Sequence, residues 1–81
     1  MDIVTEKVQN KPPTWYLEKY QVADDGRVSK VRGMLVKGKN KHVWTLFVES
    51  EVFVCKSRRS ALSFFEKGEF HVQEEDRRPN F

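Results

Sequence analysis

The sequence lacks the features that define several classes of protein. Its single cysteine, Cys55, excludes an internal disulfide and fits a reducing, intracellular compartment. No apolar run is long enough to span a membrane, and the acidic N-terminus lacks the apolar segment of a secretion signal. We therefore expect a cytoplasmic protein with no membrane partner.

Residues for catalysis and metal binding are equally scarce. His42, His71 and Cys55 are too few and too irregularly spaced for a structural zinc site, which needs four ligands. Cys55 alternates with Phe53 in a predicted strand, which favours a buried structural thiol over a nucleophile. The glycines are spread through predicted turns and form no phosphate-binding loop. The sequence thus predicts no enzyme activity, no metal and no cofactor.

What is present fits one small domain. The chain has 81 residues, of which 38% are hydrophobic, and this suffices for one compact core. We predict a domain over residues 14–73, preceded by a flexible lead-in at residues 1–13, because Pro12 and Pro13 interrupt regular structure. Residues 74–81 carry clustered charge and are predicted to form a tail.

Most of the large apolar side chains lie between Lys41 and Gly68. Residues 41–48 and 51–55 are rich in β-branched and aromatic residues, which predicts two adjacent strands. The segment 57–68 predicts a helix, with Ser57 as N-cap, Gly68 at the C-cap and an apolar face made by Ala61, Leu62, Phe64 and Phe65.

The flanking segments predict further strands. Asp24-Asp25-Gly26 indicates a turn between residues 20–22 and 27–36, whereas residues 14–19 stay ambiguous between helix and strand. Gly33 marks a bulge or a close approach, and residues 69–73 indicate a last strand with Phe70 and Val72 inward. The predicted fold class is α+β: a small antiparallel sheet of three to four strands with one C-terminal helix packed on it.

Both faces of the central strand are apolar. Alternation assigns Trp44, Leu46 and Val48 to one face, and Val43, Thr45 and Phe47 to the other. One helix covers only one face, so two alternatives are open for the second. Either the N-terminal segment with Trp15 and Tyr16 covers it, or it is a partner surface.

Charge is unevenly distributed along the chain. The net charge is +3, yet residues 26–42 contain six cations and no acid. A second basic block at residues 56–67 includes Arg58 and Arg59, which are either solvated surface or, with the helix N-terminus, an anion site. Such clustering attracts polyanions even when the total charge is small.

Two stretches resemble known DNA-binding modules. The segment from Tyr20 to Gly33, with Gly26-Arg27-Val28 as its best match and Ala23 in place of the usual serine, resembles the nuclease-associated modular DNA-binding domains of phage HNH homing endonucleases. The segment 53–65 is similar to the strand-to-helix junction of three-stranded-sheet-plus-helix DNA binders, such as integrase arm-binding domains and the plant ethylene-response-factor domain. The histidine and asparagine order of an HNH nuclease centre is absent. The resemblance implies a small phage or mobile-element protein that keeps the binding module without the nuclease.

We predict a regulatory nucleic-acid-binding protein, with DNA favoured over RNA, that contacts phosphates through a basic strand-and-turn surface. Trp44 would stack on a base if it were exposed. The alternative is a protein–protein interaction module, such as a phage-encoded inhibitor of a host factor, and the chain is expected to be a monomer or a homodimer. The predicted nucleic-acid-binding residues are Arg27, Lys30, Arg32, Lys37, Lys39, Lys41, Trp44, Arg58 and Arg59.

Overall fold

A computed structural model of the chain describes residues 3–70. Five antiparallel strands form one sheet in sequential order, followed by one helix, so the fold is α+β. The elements are β1 (Val4–Asn10), β2 (Pro13–Val22), β3 (Val28–Lys37), β4 (Trp44–Val48), β5 (Glu51–Cys55) and α1 (Arg58–Lys67). Within residues 3–70 the helix is neither long nor apolar enough to cross a membrane.

The predicted count of three to four strands is corrected to five. The strand that the sequence did not indicate is β1, which pairs with β2 where we expected a flexible lead-in. Every residue of β1 is exposed, and its polar sequence therefore carries no apolar alternation. The prolines do not interrupt the sheet, because Pro12 lies in the turn and Pro13 is the first residue of β2.

Strands β2 and β3 form a continuous hairpin of nine residue pairs, from Thr14↔Val36 to Val22↔Val28. The ambiguous residues 14–19 are thus strand, and the pairing has no bulge at Gly33. Gly33 instead lies where β3 comes close to the backbone of β4 and to a helix side chain. A Cβ there would lie 3.0 Å from the Phe47 carbonyl oxygen and 3.2 Å from Cε1 of Phe65.

The predicted helix and its N-cap are confirmed. Ser57 Oγ accepts a hydrogen bond from the Ser60 amide at 3.0 Å, and the helix covers Arg58–Lys67. Gly68 ends the helix, but with φ −74 rather than a left-handed conformation. A glycine is needed here because there is no room for a side chain: a Cβ would lie 2.9 Å from Cζ of Phe70.

The core lies between the helix and one face of the sheet. Fully buried side chains of the sheet meet Ala61 and Phe65 of the helix, and Phe70 is 5% exposed beside them. Residues 68–70 are not strand, and the remainder of the predicted last strand and the charged tail fall outside the described residues. The fully buried strand side chains are Leu17, Val31, Leu35, Leu46 and Val48.

Trp15 does not cover the second face of the sheet. It lies on the helix side with its ring centroid 5.6 Å from that of Trp44, and its neighbour Tyr16 lies within the second face itself. Among residues 3–70, nothing covers that face, and Phe47, Val52 and Val54 are exposed on it. The hypothesis that the N-terminal segment covers this face is therefore wrong for the described residues.

Candidate nucleic-acid interface

The sequential antiparallel topology brings three connections to one end of the sheet. These are the β1–β2 turn at residues 11–12, the β3–β4 loop at residues 38–43 and the β5–α1 link at residues 56–57. Alternate connections of such a sheet share an end, because each strand reverses direction. We call the cations of these connections and their flanks the basic end: Lys7, Lys11, Lys37, Lys39, Lys41, Lys56, Arg58 and Arg59.

The remaining connections and their flanks carry most of the acids of residues 3–70. The β2–β3 turn, the β4–β5 turn and the C-terminal end of α1 lie at the opposite end of the sheet from the basic end. The fold thus gathers most of these acids at the end opposite the basic end, where Arg27 and Lys67 are the cations, and this focuses positive potential on the basic end. Six of the eight acids in residues 3–70 lie there, and the other two, Glu6 and Glu18, lie within β1 and β2. The six are Asp24, Asp25, Glu49, Glu51, Glu66 and Glu69.

The cations of the basic end have no carboxylate within ion-pair distance among residues 3–70. Several lie over aromatic rings instead. The Arg58 guanidinium is 5.2 Å from the Trp15 ring centroid, the Lys7 ammonium is 5.4 Å from the same centroid, and the Lys37 ammonium is 5.9 Å from that of Trp44. Aromatic rings attract cations without neutralising them, so these charges remain available to an anion.

The β3–β4 loop has a defined conformation. The Gly38 amide donates to the Val43 carbonyl at 2.8 Å, and the Val43 amide donates to the Asn40 carbonyl at 3.0 Å. The Asn40 side chain also accepts from the His42 amide at 2.8 Å. These bonds hold the exposed Lys39 and Lys41 at the surface of a closed loop.

Trp44 is not available for base stacking. Its side chain is 8% exposed, and its indole Nε1 donates to the Lys41 carbonyl oxygen at 3.2 Å. The prediction that Trp44 stacks on a base is therefore corrected. Its aromatic surface belongs to the core, and its N–H fixes the backbone of the loop that carries Lys41.

Three predicted site residues lie away from the basic end. Arg27 is in the β2–β3 turn at the opposite end, where its Nε contacts Asp25 Oδ2 at 3.0 Å. Lys30 and Arg32 lie on β3, and both project from the uncovered face of the sheet. The six cations that are contiguous in sequence thus divide among three places in the fold.

Tyr16, Glu18 and Lys30 form a polar cluster on the uncovered face. The Tyr16 hydroxyl donates to Glu18 Oε1 at 2.8 Å, and Lys30 Nζ lies 3.4 Å from Glu18 Oε2. The hydrogen bond from Tyr16 and the charge of Lys30 lower the pKa of the Glu18 carboxyl, while that same bond raises the pKa of Tyr16. The carboxylate is thus held charged between a hydroxyl and an ammonium.

Sequence reasoning missed several residues of this region. Lys7, Lys11 and Lys56 were not assigned to the site, because only the pairing of β1 brings the first two into it. Tyr20 and Phe47, both exposed on the uncovered face, were not assigned either. The alternation of side chains in β2 and β4 could have placed Tyr20 and Phe47 on one face of the sheet. To predict that this face is exposed, one would also need to know which face the helix covers.

The part of the chain that the structure describes holds no cluster of three potential metal ligands. Comparison of the chain with protein-family models, curated proteins and solved structures finds no match. The resemblance to HNH-associated and integrase-type DNA-binding modules stays a prediction based on the residues that carry it.

Proposed function

We propose that this protein binds nucleic acid, with DNA preferred, through the basic end. One observation carries the proposal: cations from three separate connections meet at one end of the sheet with no carboxylate partner among the described residues. A cluster of solvated surface lysines alone would be unremarkable, since charged side chains cover most protein surfaces. Their segregation from the acids by the topology is what favours a polyanionic ligand.

The expected binding is electrostatic in origin. Each phosphate that is neutralised releases condensed counterions, so the affinity falls linearly with the logarithm of salt concentration. Each phosphate contact contributes about one unit to that slope. Lys39, Lys41 and Arg59 are the most direct candidates, because they are exposed and make no ring contact or ion pair with any of residues 3–70.

The test is a fluorescence anisotropy titration of labelled duplex DNA, single-stranded DNA and RNA at several salt concentrations. The variant Lys39→Ala/Lys41→Ala removes two charges from the basic end. The matched control is Arg27→Ala/Lys67→Ala, which removes two cations from the opposite end. Thermal melting of each variant checks that the fold is retained.

The proposal predicts salt-dependent binding that weakens in the first variant, with the slope reduced by about two, and changes little in the control. Equal losses in both variants would indicate that only net charge matters and would contradict a localised interface. Wild-type protein that binds none of the three nucleic acids at low salt would overturn the proposal.

A protein–protein interaction module is the second candidate. It is favoured by the uncovered apolar face, since monomeric proteins rarely expose large contiguous apolar patches. The sequence resemblance implies a phage or mobile-element regulatory role for the nucleic-acid-binding candidate, and a phage-encoded inhibitor of a host factor is an example of the second candidate.

A further inference from the structure

The face of the sheet opposite the helix carries a continuous apolar row. Tyr16, Met34, Phe47 and Val52 are direct cross-strand neighbours on β2, β3, β4 and β5. Phe47 and Val52 are 42% and 58% exposed. We call the side chains of β2–β5 on this side the open face.

A second aromatic group lies on the open face beyond that row. Tyr20 is four residues along β2 from Tyr16, which corresponds to about 13 Å. It is 51% exposed, and the Lys30 ammonium lies 5.7 Å from its ring centroid. The open face thus presents aromatic rings at more than one position, with a cation beside one of them.

Cations connect the open face to the basic end. Lys30 and Arg32 project from the open face on β3, and the same strand ends at Lys37 in the basic end. A chain of phosphates that leaves the basic end along β3 would therefore meet these two cations. Lys30 already pairs with Glu18 on this face, with its Nζ 3.4 Å from Glu18 Oε2, and would exchange that carboxylate for a phosphate, whereas Arg32 has no ion pair among residues 3–70. Arg32 and the adjoining basic end favour a polyanion over an apolar peptide as the occupant of the open face.

The shape of the open face favours unpaired bases. Five strands at a spacing of about 4.8 Å make a sheet about 19 Å wide, whereas the major groove of a duplex is about 12 Å wide. A sheet of this width cannot lie face-down in the groove. Unpaired bases, by contrast, stack on exposed aromatic side chains.

We propose that the open face binds the bases of single-stranded DNA, with Phe47 and Tyr20 as stacking platforms and Lys30 and Arg32 on the backbone. DNA is the expected form because the cross-strand neighbours of Phe47, Met34 and Val52, contact a thymine methyl group but offer no partner to a 2′-hydroxyl. The inference rests on the proposed function, which supplies the phosphate contacts.

The test measures the anisotropy of labelled oligo(dT) of about 15 nucleotides, of oligo(U) of equal length and of duplex DNA. The variant Tyr20→Leu/Phe47→Leu keeps the face apolar but removes both rings. The control Phe64→Leu removes a ring with 40% exposure on the helix side of the sheet. Sedimentation of the free protein, wild type and variants, reports the oligomeric state.

The expected result is a loss of at least about fivefold in oligo(dT) affinity for the double variant, with the salt slope and the duplex affinity unchanged. The control should bind as the wild type does, and oligo(dT) should bind more tightly than oligo(U).

Three results would overturn the inference. Unchanged oligo(dT) binding in the double variant, with a loss in Lys39→Ala/Lys41→Ala, would exclude the open face while leaving the proposed function intact. Tighter binding of oligo(U) would exclude DNA as the preferred ligand. A wild-type dimer that the double variant converts to a monomer would show that a second copy covers the open face.

Discussion

Lys19 of β2 caps the C-terminal end of α1 by donating a hydrogen bond to the carbonyl oxygen of Gly68. Its Nζ lies 2.6 Å from the Gly68 carbonyl oxygen and 3.0 Å from that of Glu66, and the side chain is only 4% exposed. The rings of Phe65 and Phe70 lie within cation–π distance, at 5.5 and 5.1 Å. A cation at the negative end of a helix is favourable, so this buried charge is stabilised by the helix it holds.

Replacing Lys19 should therefore destabilise the fold. Lys19→Met keeps the apolar stem but leaves the carbonyls of Glu66 and Gly68 without their donor, and we expect a loss of about 1–2 kcal/mol in the free energy of unfolding. Urea denaturation measures this loss. The control Lys30→Met removes the partly exposed ion pair with Glu18 and should change the stability by less than about 0.5 kcal/mol. Equal effects would show that the buried contact has no special role.

The hydrogen bond from Tyr16 should control the titration of Glu18. Because the pKa of Glu18 is lowered in the folded state, its contribution to stability is present above its ordinary pKa and is lost as the pH falls through the folded pKa. Tyr16→Phe removes the largest cause of that shift, so the pKa of Glu18 should rise toward its ordinary value. An NMR titration of the Glu18 carboxyl carbon measures it. Tyr20→Phe should leave it unchanged, and an unshifted pKa in Tyr16→Phe would contradict the assigned hydrogen bond.

Because the backbone of β4 lies close to Gly33, the stability of the fold should depend on the size of the side chain at position 33. A Cβ there meets the Phe47 carbonyl oxygen at 3.0 Å, and that backbone atom is held in the sheet. We expect Gly33→Ala to cost about 1 kcal/mol and Gly33→Val to cost more, within the range for overpacking. Thermal or urea unfolding provides the measurement. Stability that rises along the series would show that the strand and the helix accommodate the added atoms.

Cys55 should react slowly as a thiol. Burial raises the pKa of Cys55, so its thiolate population at neutral pH is smaller than that of a free cysteine. Alkylation of the native protein near neutral pH should be slower than that of a cysteine peptide, and it should accelerate as the pH rises. Urea-unfolded protein serves as the control and should react at the peptide rate. Native protein that reacts faster than the peptide would indicate an activated thiol.

Local signals predicted strands β3, β4 and β5, the end of β2 and the helix. The hairpin β4–β5, the turn with Gly26 and the capped helix were all predicted, because each depends on residues close in sequence. Strand β1 was missed because an edge strand with every residue exposed needs no apolar pattern. Residues 14–19 stayed ambiguous because a strand whose buried residues include Lys19 does not alternate clearly between apolar and polar.

The candidate site was predicted less well than the fold. The sequence supplied the cations, but their spacing along the chain does not reveal that Arg27 lies at the far end and Lys30 and Arg32 on the open face. Trp44 was predicted to stack on a base, whereas its ring is buried in the core and its N–H donates to the Lys41 carbonyl oxygen in the β3–β4 loop.

Composition and local pattern alone determined the class of this protein: a small α+β domain with a basic central block and one capped helix. Which charges act together was decided by the tertiary structure, because strand pairing sets which connections share an end. The same holds for the two faces of the sheet. Alternation divides the residues of each strand into two sets, and only the packing of α1 decides which set is buried and which stays open.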